Sequence, residues 1–250
     1  MTDRVRLART AAQGAGPARG GGRVHAIAFV DVDETLLTVN SMAGFLVAYL
    51  RERGRSSDEV RAVVGHLASL DRGPDRDAVS RAYYATFAGE RAEELRDLGQ
   101  RWFAGLGEDV WHAPVADELA AARAAGTLVV LVSGAPPATV APVARAVRAH
   151  AWFATRQEER DGVLTGVATD AVVGESKASV ARRVMAERGV RPQDCVAYGD
   201  HGSDLPMLEA VGTGVVVGDD PVLAAAAARH GWRVLPSARA GALRSATPPG

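Results

Sequence analysis

The chain has 250 residues, of which 47% are hydrophobic and 24% charged, and its formal net charge is −1. This is an ordinary globular composition, long enough for one large domain or one domain with a smaller insert, and it excludes an overall basic footprint for nucleic acid. A lone cysteine, Cys195, excludes an internal disulfide framework, and no apolar run approaches the ~20 residues of a membrane span.

Residues 1–23 carry five arginines against Asp3 and are rich in Gly, Ala and Pro, so they read as a disordered basic arm. The arm has no apolar core of the kind a secretory signal needs, and a cytoplasmic location is expected. "VHAIAFVDVD" (24–33) reads as a buried strand that ends in acids. Between Ser41 and Leu106, apolar residues recur at three- and four-residue spacing in four stretches, which predicts four helices and no strand. Ser57 with Asp58, and Asp75, are candidate N-caps; Gly54 and Gly73 are candidate stops.

Beyond residue 106 the pattern alternates. "PVADELAAARAAG" is a helix closed by Gly126, "TLVVLVSG" a strand, and "PATVAPVARAVRAH" a helix weakened by Pro142. "AWFATRQEERDGVLTGVAT" reads as a hairpin turning at Asp161-Gly162. "SKASVARRVMAERG" is a helix stopped by Gly189, "CVAYGD" a strand that buries Cys195, and "SDLPMLEAV" a helix start. "GVVVGD", "PVLAAAAARHG" and "WRVL" follow as strand, helix and strand, and residues 237–250 read as a loose tail. The alternation predicts an α/β fold, a Rossmann-like doubly wound parallel sheet. Its core would comprise 24–40 and 107–236, with an all-helical insert at 41–106.

In such sheets the site lies outside the carboxyl ends of the strands, and three ends stand out. "DVDET" puts Asp31 and Asp33 on one face of the first strand, where two carboxylates repel unless a cation or a proton intervenes. Alone, D-x-D is more often a solvated strand end. "YGDHGSD" adds Asp200 and Asp204, four apart at a helix start, where an N-cap and a first-turn acid are an equally good account. "VSG" ends a strand with Ser133 and Gly134, a natural phosphate-oxygen binder but also a plain turn. Lys177 opens a helix and is the only lysine among the 29 basic residues. Arginine bias explains the other basic residues but not where this one sits.

Taken together and in order, "DVDET", "VSG", Lys177 and "GDHGSD" resemble the four motifs of the haloacid dehalogenase-like superfamily, over roughly 24–235. The helical insert resembles that family's C1 cap. "RDGVLTG" and "SDLPMLEAVG" look most like the branch that includes phosphoserine phosphatase.

The resemblance implies Asp31 as nucleophile and Asp33 as general acid and base, the second aspartate favouring phosphoryl chemistry over dehalogenation. It implies Mg²⁺ on the Asp31 side chain, the Asp33 carbonyl and Asp200. Asp204 is either a further ligand or, preferred because Mg²⁺ sites keep several waters, an acid that supports the ligands from behind, and Thr35 orients the turn. Ser133 and Gly134 hold the phosphate, and Lys177 gives positive charge beside Asp31. Glu34 stands where glycine is usual, as in some branches, and "SGAPP" departs from the phosphoserine phosphatase pattern, which lowers phosphoserine as the substrate.

The implied activity is a phosphatase for a small phosphorylated metabolite: a sugar, cyclitol or amino-acid-like phosphomonoester. A phosphotransferase using an alcohol acceptor and a non-catalytic binding protein on the same fold are the alternatives. A phosphonatase needs a cap lysine, and the only lysine lies outside the insert. Neither nucleic acid nor membrane is expected as a partner. Arg51, Arg53, His66, Arg81, Tyr83, Tyr84 and Arg101 are the polar candidates in the insert for substrate contact.

Overall fold

The computed structural model describes residues 25–71 and 76–237. The basic arm, the C-terminal tail beyond Ser237, Gly73 and Asp75 lie outside the described residues.

The core is a six-stranded sheet in the order β3-β2-β1-β6-β7-β8, and every neighbouring pair is parallel. The strands are β1 (Ile27–Val30), β2 (Leu128–Val132), β3 (Ala151–Phe153), β6 (Cys195–Gly199), β7 (Thr213–Val217) and β8 (Arg233–Leu235). Helices α5 (Ala113–Ala124) and α6 (Pro137–Ala146) cover one face of the sheet, where Ala28 and Val30 of β1 pack with Val115, Leu119, Val140 and Val143. Helices α7 (Glu175–Arg188), α8 (Leu205–Glu209) and α9 (Pro221–His230) cover the other. There Ile27 and Phe29 meet Val184, Met185, Met207 and Leu223. Because both faces are buried, β1 reads as a continuous apolar run with no alternation. Strand order reverses between β1 and β6, which opens the crevice at their carboxyl ends.

The four helices of the insert are α1 (Ser41–Glu52), α2 (Ser57–Asp71), α3 (Arg76–Ala85) and α4 (Ala92–Ala104). Asn40 caps α1 through its side chain. The cap of α2 is one residue earlier than the sequence reading placed it. Ser56 Oγ accepts the Glu59 N–H at 3.3 Å and Glu59 Oε2 accepts the Ser56 N–H at 2.8 Å, so a reciprocal capping box displaces Ser57 and Asp58 into the first turn. Gly54, at φ 73°, ends α1 as expected.

Two further expectations change. Residues Ala151–Phe153 pair in parallel with Val130–Val132 as an edge strand of the main sheet. The hairpin therefore comprises only β4 (Arg156–Arg160) and β5 (Val163–Asp170), turning at Asp161 (φ 51°) and Gly162 (φ 80°). Pro142 lies inside α6 and does not break it, although it has no N–H to give the Ala138 carbonyl. That carbonyl faces Gly99 of α4 so closely that a Cβ there would lie 2.0 Å from it. Cys195 is a buried free thiol, and burial raises its pKa to about 11.

The insert has its own apolar cluster of Phe45, Tyr49, Tyr84, Phe87, Leu95 and Leu98, and two residues from elsewhere in the chain join it: Ala138 of α6 and Leu164 of β5. The hairpin leans on the insert through its backbone as well. Gly89 N–H donates to Leu164 O, Leu164 N–H to Glu90 O, and Ala92 N–H to Gly162 O.

Candidate active site

Asp31 follows β1 directly, and its N–H donates to the Tyr198 carbonyl of β6 at 3.1 Å, which fixes it at the reversal point. Lys177 sits in the first turn of α7. Its Nζ bonds Asp31 Oδ1 at 2.6 Å and Asp204 Oδ1 at 2.5 Å, and all three side chains are buried. A helix start is a poor place for a buried ammonium, and these two carboxylates offset that cost. Lys177 accordingly stays protonated: burial pulls its pKa down, and Asp204 and Asp31 more than reverse this.

Asp204 is committed on both oxygens. Oδ2 accepts the N–H groups of Asp200 and His201, each at 3.2 Å. This approach requires the glycine of "YGD", because a Cβ on Gly199 would lie 2.5 Å from the Asp204 Cβ. Asp200 is held from the other side by the Thr35 hydroxyl, which donates to Oδ1 at 2.8 Å.

Asp33 Oδ1 accepts the Ser41 N–H at 2.9 Å. Burial raises Asp33 above the ordinary carboxylate range, and the Ser41 hydrogen bonds oppose the rise. Burial also pushes Asp31 well above that range against the pull of Lys177, with the Asp204, Asp200 and Asp33 charges pushing the same way. Asp200 is raised to about 7 by burial and by Asp204. Glu34 adds negative charge felt at both Asp33 and Asp200. It holds a φ of 58°, the left-handed conformation that glycine adopts without strain, at a cost of about 1 kcal/mol.

Single oxygens of Asp31, Asp200 and Asp204 lie within 4.8 Å of one another. Hard carboxylate oxygens, strongly destabilised by burial and faced by one ammonium, fit a divalent cation of the Mg²⁺ kind. Of the three, Asp204 is the one whose two oxygens both already accept hydrogen bonds, from Lys177 and from two N–H groups.

Ser133 and Gly134 follow β2, on the other side of β1. Ser133 is buried, and its Oγ accepts the Ala135 N–H at 3.1 Å. The insert supplies less than its charges promised. Arg53 pairs with Glu90 and Glu94, and Arg101 with Glu52, all at the surface. Arg51, His66 and Arg81 are exposed. Tyr83 and Tyr84 are buried: Tyr83 donates to the Met42 carbonyl at 3.2 Å and Tyr84 to the Gly134 carbonyl at 3.0 Å. Ser41 was not anticipated. It acts on Asp33 through its backbone N–H, which no side-chain pattern announces, although its place at a helix start made a free N–H available.

A family model described as haloacid dehalogenase-like hydrolase matches residues 28–209. The chain belongs to that family. A probable phosphatase of Mycobacterium tuberculosis is 32% identical over 230 residues, covering 90% of this chain and 80% of that protein. A phosphoserine phosphatase from the same organism is 28% identical over 229 residues, 84% of this chain and 70% of its own length. Among solved structures, a protein of unknown function from Bordetella pertussis superposes with a TM-score of 0.73 at 27% identity, over 84% of this chain and 97% of the other. Within the haloacid dehalogenase-like family this enzyme falls in the phosphoserine phosphatase-like branch. Among the described residues no helix is long and apolar enough to cross a membrane.

Proposed function

We propose that this hydrolase is a Mg²⁺-dependent phosphatase that cleaves a small phosphomonoester through an aspartyl-phosphate on Asp31. One observation carries the reading: Lys177 is buried against Asp31 and Asp204 in a crevice that also gathers Asp33 and Asp200. Mg²⁺ held by the Asp31 carboxylate, the Asp33 carbonyl and Asp200 would offset the repulsion between an attacking carboxylate and a phosphate dianion.

In this scheme a carboxylate oxygen of Asp31 attacks phosphorus. The bond from phosphorus to the leaving alcohol breaks as the Asp33 carboxyl gives that oxygen its proton. The raised pKa of Asp33 supports the acid role, because it keeps a proton available. Water then attacks phosphorus, Asp33 takes its proton, and the bond to Asp31 breaks to release inorganic phosphate. Lys177 balances charge beside Asp31, and Ser133 with the Gly134 N–H holds the phosphate oxygens. Thr35 and Asp204 fix Asp200 and Lys177 in place. The core of 24–40 and 107–236 does this chemistry, and the insert of 41–106 covers it and selects the leaving group.

The substrate class is a sugar, cyclitol or amino-acid-like phosphate. Arg53 and Arg101 are engaged with acids at the surface, which supports a hydroxyl-rich leaving group over phosphoserine. The test is phosphate release from a panel of phosphomonoesters with Mg²⁺. Asp31→Asn should lower turnover by at least about a thousandfold, and full activity in that variant rejects the mechanism.

A further inference from the structure

Resting on that reading, we propose that Tyr84 is a positioning residue through which the helical insert sets the shape of the phosphate-binding loop. Its ring belongs to the insert's apolar cluster, and its side chain is fully buried. Its hydroxyl leaves the insert and donates to the Gly134 carbonyl at 3.0 Å, a link between residues 50 apart in sequence.

The Gly134 carbonyl and the Ala135 N–H are the two ends of one peptide unit. Tyr84 bonds the carbonyl end, and Ser133 Oγ accepts from the N–H end at 3.1 Å. A planar peptide held at both ends has a fixed orientation. With one Ser133 lone pair taken by Ala135 N–H, the Ser133 proton is left to be donated to a phosphate oxygen.

The same loop is held from behind: Thr155 N–H donates to the Ala135 carbonyl at 3.1 Å, and Thr155 Oγ accepts the Val172 N–H at 3.0 Å. The loop after β2 is thus tied to α3 on one side and to the two ends of the hairpin on the other. Tyr83, next in the chain and equally buried, makes no such link, since its hydroxyl donates to Met42 within the insert.

That pairing supplies the control. Tyr84→Phe and Tyr83→Phe each remove one buried hydroxyl from the same cluster. With p-nitrophenyl phosphate and Mg²⁺, the readouts are kcat, KM and the inhibition constant for inorganic phosphate, beside the melting temperature. Tyr84→Phe should weaken phosphate inhibition and lower kcat/KM by about three- to tenfold, whereas Tyr83→Phe should move neither. If both variants only lower the melting temperature and leave the phosphate constant at the wild-type value, Tyr84 is structural and the proposal fails. Should Tyr84→Phe not fold, 3-fluorotyrosine at position 84 alters the strength of the same hydroxyl-to-carbonyl bond without removing it and must move the phosphate constant; an unchanged constant there is equally fatal. Wild-type protein that neither cleaves the probe nor responds to phosphate rejects the phosphatase reading instead.

Discussion

At the carboxyl ends of β1 and β6, Asp31, Lys177 and Asp204 are buried and bonded to one another. In the insert, Arg53, Glu90, Glu94, Arg101 and Glu52 pair near the surface, and the interior is left to Phe45, Tyr49, Tyr84 and Phe87. The difference separates two uses of charge. Charge removed from water must be matched group for group, so its residues are hardly exchangeable. Charge left in water contributes little and can be replaced. What the insert sends across its border includes apolar contact and hydroxyl groups, Tyr84 to the Gly134 carbonyl and Ser41 to Thr139.

The buried charges are most vulnerable at Lys177. Lys177→Ala leaves Asp31 and Asp204 facing each other unpaired, and should cost about 3–5 kcal/mol of stability along with nearly all turnover. Lys177→Arg keeps the charge but puts a planar fork where Nζ now fits between two carboxylates at 2.6 and 2.5 Å. Turnover should fall about a hundredfold. Near-normal kinetics in that variant would return the single lysine to chance.

A smaller effect comes from pH and metal. Folding raises the Asp200 pKa from 3.8 to about 7, so the folded state binds that proton more tightly. Its contribution to stability is present below about pH 4 and is lost as pH rises through about 7. Without Mg²⁺ the melting temperature should fall between about pH 5 and about pH 8, and Mg²⁺ should raise it more at the higher pH. Equal Mg²⁺ shifts at both pH values would mean that the ion does not displace protons here.

Next is the seam between the two regions. Gly99→Ala forces a methyl group to within 2.0 Å of the Ala138 carbonyl, so α4 must move off α6. Destabilisation of about 1–3 kcal/mol is expected, with kcat and KM changing together because the cover over the site shifts. Arg53→Ala and Arg101→Ala should do least: under about 1 kcal/mol each in a denaturant titration, and unchanged phosphate release. A large rise in KM for either would mean that the insert's charges do reach the substrate.

The crevice was more legible in the sequence than its surroundings. Asp31, Asp33, Ser133, Lys177, Asp200 and Asp204 could be singled out because polar side chains at strand and helix ends stand out against apolar runs, and the structure gathers Asp31, Lys177, Asp200 and Asp204. Gly199 marks a close approach that only the structure explains. Ser41 acts through its backbone, and Tyr84 was legible only as a polar residue of the insert; what it bonds is a carbonyl 50 positions away. Elements with strong periodicity stood where expected. The edge strand at Ala151–Phe153 ran into the hairpin in the sequence because three residues are too few to show a period.

The hairpin β4–β5 belongs to the second half of the chain yet seals the insert's interior with Leu164. Its Gly166 lies so close to α3 that a Cβ there would fall 3.2 Å from the Ala85 Cα. Recombination between relatives therefore has no single-cassette solution. A chimera that exchanges only 41–106 sets foreign helices against a native Leu164 and Gly166, and one that exchanges only the hairpin does the reverse. Whatever selectivity the insert carries is inherited as two distant segments that have to travel together.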